Sequence, residues 1–156
     1  MKNTTAQPVR FLIALFALLF ATNAASAHCQ IPCGIYDDDL MVKQMLLDAT
    51  TVTKCMTEIN NLAGKTDPQS GNQFVRWVEN KEDHANNIIE ISSNYFLCQR
   101  VKDSQADYTE RLKAHHAVMV AAMKAKQNSD AASAEALEKS IKALRAYYPE
   151  HDDHHH

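Results

Sequence analysis

Residues 38–62, DDLMVKQMLLDATTVTKCMTEINNL, carry Met41, Met45, Ala49, Val52, Met56, Ile59 and Leu62 at steps of three and four. That spacing lines one stripe of a helix and does not fit strand alternation. Gly64 follows directly, at the place where helix C-termini favour glycine. Asp67-Pro68 then opens a second segment, with a capping carboxylate before a proline suited to the first helical turn.

Moving outward, Phe74, Trp77, Val78, Lys81, Ala85, Ile88 and Tyr95 keep the same period to about Val101. A third segment from near Asp103 presents Tyr108, Leu112, His115, Met119, Ala122 and Met123. Polar Gln127-Asn128-Ser129-Asp130 divides it from a fourth, with Leu137, Ile141, Leu144 and Tyr148 before Pro149. There are only three glycines in the chain, and no repeat or strand pattern. Four helices with short connections predict an all-α fold, an antiparallel up-down four-helix bundle over residues 37–149.

Upstream, Lys2 and Arg10 flank the apolar run FLIALFALLFA (11–21), and Ala25-Ser26-Ala27 supplies a small-x-small triplet. This reads as a secretory signal peptide of residues 1–27, its apolar run too short for a permanent span. The expected mature chain is exported, periplasmic or extracellular, without a membrane anchor. Loss of Lys2 and Arg10 takes the formal charge from −3 to −5. An acidic surface of this kind argues against nucleic acid as a partner.

Within the bundle, conventional sites are weak. His115 and His116 point about 100° apart, so one at most faces inward, and a lone inward histidine reads first as a satisfied core residue. His84 has Glu82 and Asp83 beside it, but neighbouring helical residues do not converge. Glu79 and Glu82 do not make the paired Glu-x-x-His pattern of di-iron bundles. Met119 and Met123 read as core fillers, and residues 150–156 as a polar His/Asp-rich tail. Cys55 and Cys98 read either as buried apolar residues or as a pair.

The chemistry concentrates at the new chain start. Cleavage after Ala27 gives His28 a free α-amine, followed by Cys29 and Cys33. Amine, the Cys29 amide and two thiolates form a planar N/S donor set, with the His28 imidazole available axially. Pro32 restricts the turn that returns Cys33, and Gly34 permits an unusual dihedral after it. Planar mixed donors suit Ni(II) or Cu(II), while tetrahedral thiolate sites suit zinc. Copper risks oxidising the thiolates, so nickel fits best, and the anionic donors bring Ni(II)/Ni(III) cycling within reach.

HCQIPCGIY (28–36) resembles the H-C-x-x-P-C-G-x-Y hook of nickel-containing superoxide dismutases. NKEDHA (80–85) and SNYF (93–96) are similar to second-helix segments of that family. The resemblance implies conversion of superoxide to dioxygen and peroxide, one nickel ion per subunit on His28, Cys29 and Cys33, and a hexamer of four-helix bundles. It also implies that Tyr36 lines substrate access and that Tyr95 helps it order water beside the metal. A plainer role for Tyr36 is as an apolar anchor of the hook. Departures are Gln30 where relatives often carry Asp, and Gln44 where a carboxylate supports the axial imidazole, with its basic partner near His84. The competing reading is an exported, non-catalytic metal-binding or disulfide-stapled helical module.

Overall fold

The computed structural model describes residues 36–150. The leader, His28, Cys29 and Cys33, and the tail from His151 lie outside the described residues. Within them the chain is helical: α1 (Asp38–Leu62), α2 (Pro68–Glu90), α3 (Tyr108–Gln127) and α4 (Ala131–Ala143). Helix α2 runs without a break into a π-helical segment, Ile91–Arg100, and α4 tightens into a 3₁₀ turn, Leu144–Ala146.

Local sequence sets the helix starts. Asp37, Asp67 and Asp130 each accept a backbone N–H from the third residue onward, Leu40, Ser70 and Ser133, at 2.8, 2.9 and 2.8 Å. Each satisfies a donor that the first helical turn leaves orphaned. Gly64 takes φ +80 after α1, a conformation that glycine adopts without penalty.

Helix α1 packs on α2, α2 on α3 and α3 on α4, and α4 closes the ring against α1. Tyr95 and Arg145 bond to Asp38 and Asp39, bringing the ends of α2 and α4 to the start of α1. At the other end Asn60 donates to the Ser129 carbonyl at 2.7 Å. The helices therefore alternate in direction, and the up-down bundle follows. Val42, Met45, Val52, Ile88, Phe96, Val118, Leu137, Ile141 and Leu144 are fully buried between them. Each such side chain contributes about 1.5–3 kcal/mol by leaving water.

Three sequence expectations change. Phe74 is 37% exposed, because Lys81 already lies at the C-terminus of α3 and the first turns of α2 overhang it. Met123 is 47% exposed: the buried face of α3 runs through His115, Val118, Ala122 and Ala125, turned away from Met123. Helix α3 begins at Tyr108, five residues after Asp103, since residues 102–108 form successive turns closed by Gln105 N–H on Lys102 O and Tyr108 N–H on Gln105 O.

Lys81 stands on the inward stripe for a reason periodicity does not reveal. Lys81 is 5% exposed, and its ammonium donates to the Ala125, Lys126 and Asn128 carbonyls. Those are carbonyls at the C-terminal end of α3, where the helix dipole also favours a cation. One side chain of α2 thus caps α3.

Candidate functional site

The four residues YDDD (36–39) join the hook to α1, and each of the three aspartates has a different task. Asp37 caps the helix. Asp38 accepts both Nε and Nη2 of Arg100, at 2.8 and 2.7 Å, and the Tyr95 hydroxyl at 2.7 Å. Asp39, 3% exposed, binds Arg145 and the Lys43 ammonium, the latter at 2.9 Å. The first two helical positions carry negative charge where the N-terminal dipole favours it.

Tyr36 lies over this network. Its ring meets that of Tyr95 edge to face at 6.0 Å, the Arg100 guanidinium lies 4.6 Å from its centroid, and its hydroxyl donates to Gln99 Oε1 at 3.3 Å. Tyr95 is almost wholly buried, and burial, reinforced by the bond to Asp38, pushes its pKa well above the ordinary tyrosine value. It therefore remains a protonated donor through the neutral range. The Arg100 pKa is raised, first by its bonds to Asp38.

The π-helical segment makes this convergence possible. Val101 N–H bonds to Phe96 O at 2.9 Å, the five-residue step of a π-helix, and Gln99 Nε2 reaches back to Asn94 O at 2.9 Å. Residues five apart stand roughly 140° from each other round an α-helix of 3.6 residues per turn. In the wider π-helix Tyr95 and Arg100 share a face and a carboxylate. Such segments are rare and often accompany functional sites.

Beneath Tyr95 the aromatic contacts continue inward through Phe96 (4.9 Å) to Tyr148 (4.5 Å) and His115 (5.1 Å). His115 is fully buried, with Nδ1 2.7 Å from the Arg111 carbonyl and Nε2 3.3 Å from the Tyr148 hydroxyl. A carbonyl can only accept, so Nδ1 carries the proton and Nε2 accepts from Tyr148. Burial lowers the His115 pKa and holds the ring neutral. His115 is the satisfied core histidine that the sequence suggested, while His116 is exposed.

Gln44 and His84, separate in sequence, meet through a residue that pattern reading passed over. Asp48, 2% exposed, accepts from Gln44 at 3.4 Å and Asn87 at 2.6 Å, and lies 2.7 Å from His84 Nδ1. A buried aspartate inside an apolar stripe was its only sequence signal. Cys55 and Cys98 are both free, Cys55 buried and Cys98 exposed, so they neither pair nor share a core environment. Burial raises the Cys55 pKa, which keeps that thiol protonated and inert.

Among the described residues, no three His, Cys, Asp or Glu side chains are grouped to hold a metal ion. None of their helices is long and apolar enough to cross a membrane. The fold and this site describe a helical scaffold with a polar, aromatic-lined end built around Tyr36, Asp38, Tyr95 and Arg100. The family model described as nickel-containing superoxide dismutase matches residues 23–152, and the chain belongs to that family. It is accordingly an oxidoreductase with a nickel cofactor and superoxide as substrate. Searches of curated proteins and of solved structures gave no match.

Proposed function

We propose that the nickel ion is held at the processed N-terminus by His28, Cys29 and Cys33. The observation that supports this most directly is the matched span, which takes in all of HCQIPCGIY. The donor set fits the group: two soft thiolates, an amine, an amidate and an imidazole would suit nickel. When bound, nickel supplies the one-electron exchange between its +2 and +3 states that dismutation needs.

The chain's own residues have other duties in this reading. Cleavage after Ala27 frees the His28 amine, so export through the 1–27 leader and assembly of the site are one process. Tyr36 shields the thiolates, which peroxide would otherwise oxidise, and Tyr95 supports it from below. Two groups that touch Tyr36 are held in fixed states, Tyr95 protonated and Arg100 charged, so protons for peroxide come from solvent admitted past the ring of Tyr36. A nine-residue hook has little core of its own and needs a surface to settle on. A neighbouring subunit provides one, and a hexamer with hooks near the subunit contacts meets the need.

The deciding experiment compares protein beginning at His28 with protein that retains Ala27, each loaded with nickel. The His28 form is expected to hold one nickel per chain and consume superoxide, and the Ala27 form to bind nickel poorly and show little dismutation. Full activity with Ala27 attached would refute the amine donor.

A further inference from the structure

We infer that Arg100 is a positioning residue for dismutation, a cation carried by the π-helical turn onto Asp38 so that one guanidinium fixes both Tyr36 and Tyr95. The inference rests on the hook reading above and adds the device that aims the hook.

Three contacts converge on this side chain. Its fork meets both oxygens of Asp38, a two-bond geometry that lysine cannot reproduce. Its face lies against Tyr36, the last residue of the hook. Through Asp38 Oδ1, which also accepts from Tyr95, it sets the second tyrosine. Asp38 belongs to the first turn of α1 and Tyr36 lies two residues before it, so the clamp grips the chain on both sides of the helix start. Asp38 and Arg100 are each partly shielded, with side chains 20% and 30% exposed, which limits solvent screening of the pair.

The contact also has a consequence for direction. A hook departing from a frayed helix start would sample many orientations. With α1 capped by Asp37 and Tyr36 held against Arg100, the last residue of the hook is fixed relative to the bundle. Small misplacements near a reacting centre are expensive in rate, so a residue that touches neither nickel nor superoxide can still govern turnover.

The test combines turnover with a measurement that needs no metal. In nickel-loaded protein, Arg100→Gln is expected to lower kcat roughly ten-fold at unchanged nickel content and helicity. In a Tyr36→Leu background the same change should cost less than about two-fold, because the clamp has then lost the hook and keeps only Tyr95. Arg100→Lys keeps the charge but not the fork and should recover only part of the loss. In metal-free protein, NMR should show an Arg100 Nε–H protected from exchange and side-chain protons shifted by the Tyr36 ring. Asp38→Asn should expose the first, and Tyr36→Leu should abolish the second. Equal losses in both backgrounds, full rescue by lysine, or an unprotected and unshifted Arg100 would overturn the inference. Because the NMR arm is independent of nickel, it separates failure of the clamp from failure of the hook reading.

Discussion

Tyr95 and Arg100, five residues apart on one helix, reach the same oxygen of Asp38, at 2.7 and 2.8 Å. An α-helix would turn them to different faces, and it is the π-helical Ile91–Arg100 segment that brings them together. The two hydroxyls above this carboxylate have unlike surroundings. Tyr95 donates to a charge from a buried position, whereas Tyr36 donates to a neutral amide at 3.3 Å. Tyr95→Phe should therefore destabilise the protein by about 1.5 kcal/mol, the loss of a bond to a charged acceptor. Tyr36→Phe should cost less than about 1 kcal/mol yet change the pH profile or peroxide tolerance of turnover. Denaturant unfolding beside steady-state assays checks both. If Tyr36→Phe matched the parent in rate, pH profile and peroxide tolerance, only the anchoring role of its ring would remain.

The hook ligands should divide by chemistry. Cys29→Ser and Cys33→Ser exchange a soft thiolate for a poor donor, and each should lose nickel and activity with the bundle still helical. His28→Gln leaves amine and amide in place, so nickel should stay while cycling slows. Metal analysis with circular dichroism and superoxide assays distinguishes the two outcomes. A His28→Gln protein that turned over as fast as the parent would remove the imidazole from the redox role.

Lys81→Met removes the cation that serves the end of α3. The carbonyls of Ala125, Lys126 and Asn128 lose a charged donor, and a loss of about 3 kcal/mol follows from the usual cost of breaking such a contact in a buried place. For a chain of this size that lowers Tm by about 10 °C. Nickel content at room temperature should be unaffected, since Lys81 lies at the opposite end of the bundle. A Tm within a degree or two of the parent would mean that α3 ends adequately without it.

Acid stability should carry the signature of His115. Its folded pKa is lowered by burial, so below the ordinary value of about 6.5 the unfolded chain binds a proton that the folded chain refuses. Stability then rises with pH through this window and is lost as pH falls below about 6.5, by at most ~1.4 kcal/mol per pH unit for one proton. Asp67, Asp107 and Asp130, whose pKa values are lowered mainly by hydrogen bonds to Ser70, Arg111 and Ser133, act in the same direction only below about 3.9. Urea unfolding of metal-free protein between pH 7.5 and 5 should show the upper window, and His115→Asn should flatten it. An unchanged slope in that variant would assign the loss elsewhere.

Assembly gives the remaining prediction. Sedimentation of processed, nickel-loaded protein should show an oligomer, with hexamer as the expected state. A fully active monomer would require the bundle alone to seat its hook.

How much of this was legible in the sequence can be followed residue by residue. Asp67-Pro68 and Gly64 marked helix ends because capping and positive φ are local requirements that few residue types satisfy. Leu137, Ile141, Leu144 and Tyr148 marked the inner face of the last helix because a period of 3.6 leaves little choice. On α3 the apolar residues surround the axis more evenly, so Met123 was assigned to the core while Val118, fully buried, was passed over. The resemblance carried by HCQIPCGIY was likewise readable, since residue type and order are written in the sequence itself, and the family match bears it out.

What the sequence determined by itself, then, is whatever depends on neighbours within a turn or two: four amphipathic helices, their caps, and a short run of nitrogen and sulfur donors before them. Tertiary structure decided which distant groups meet. Asp38 finds Arg100 only because α2 widens into a π-helix as it passes the start of α1. Asp48 gathers Gln44, His84 and Asn87 only because α1 and α2 pack face to face, and Lys81 becomes a cap only because α3 ends beside it. Buried charges need partners to offset their lost hydration, and those partners come from other helices, across separations that no local pattern records.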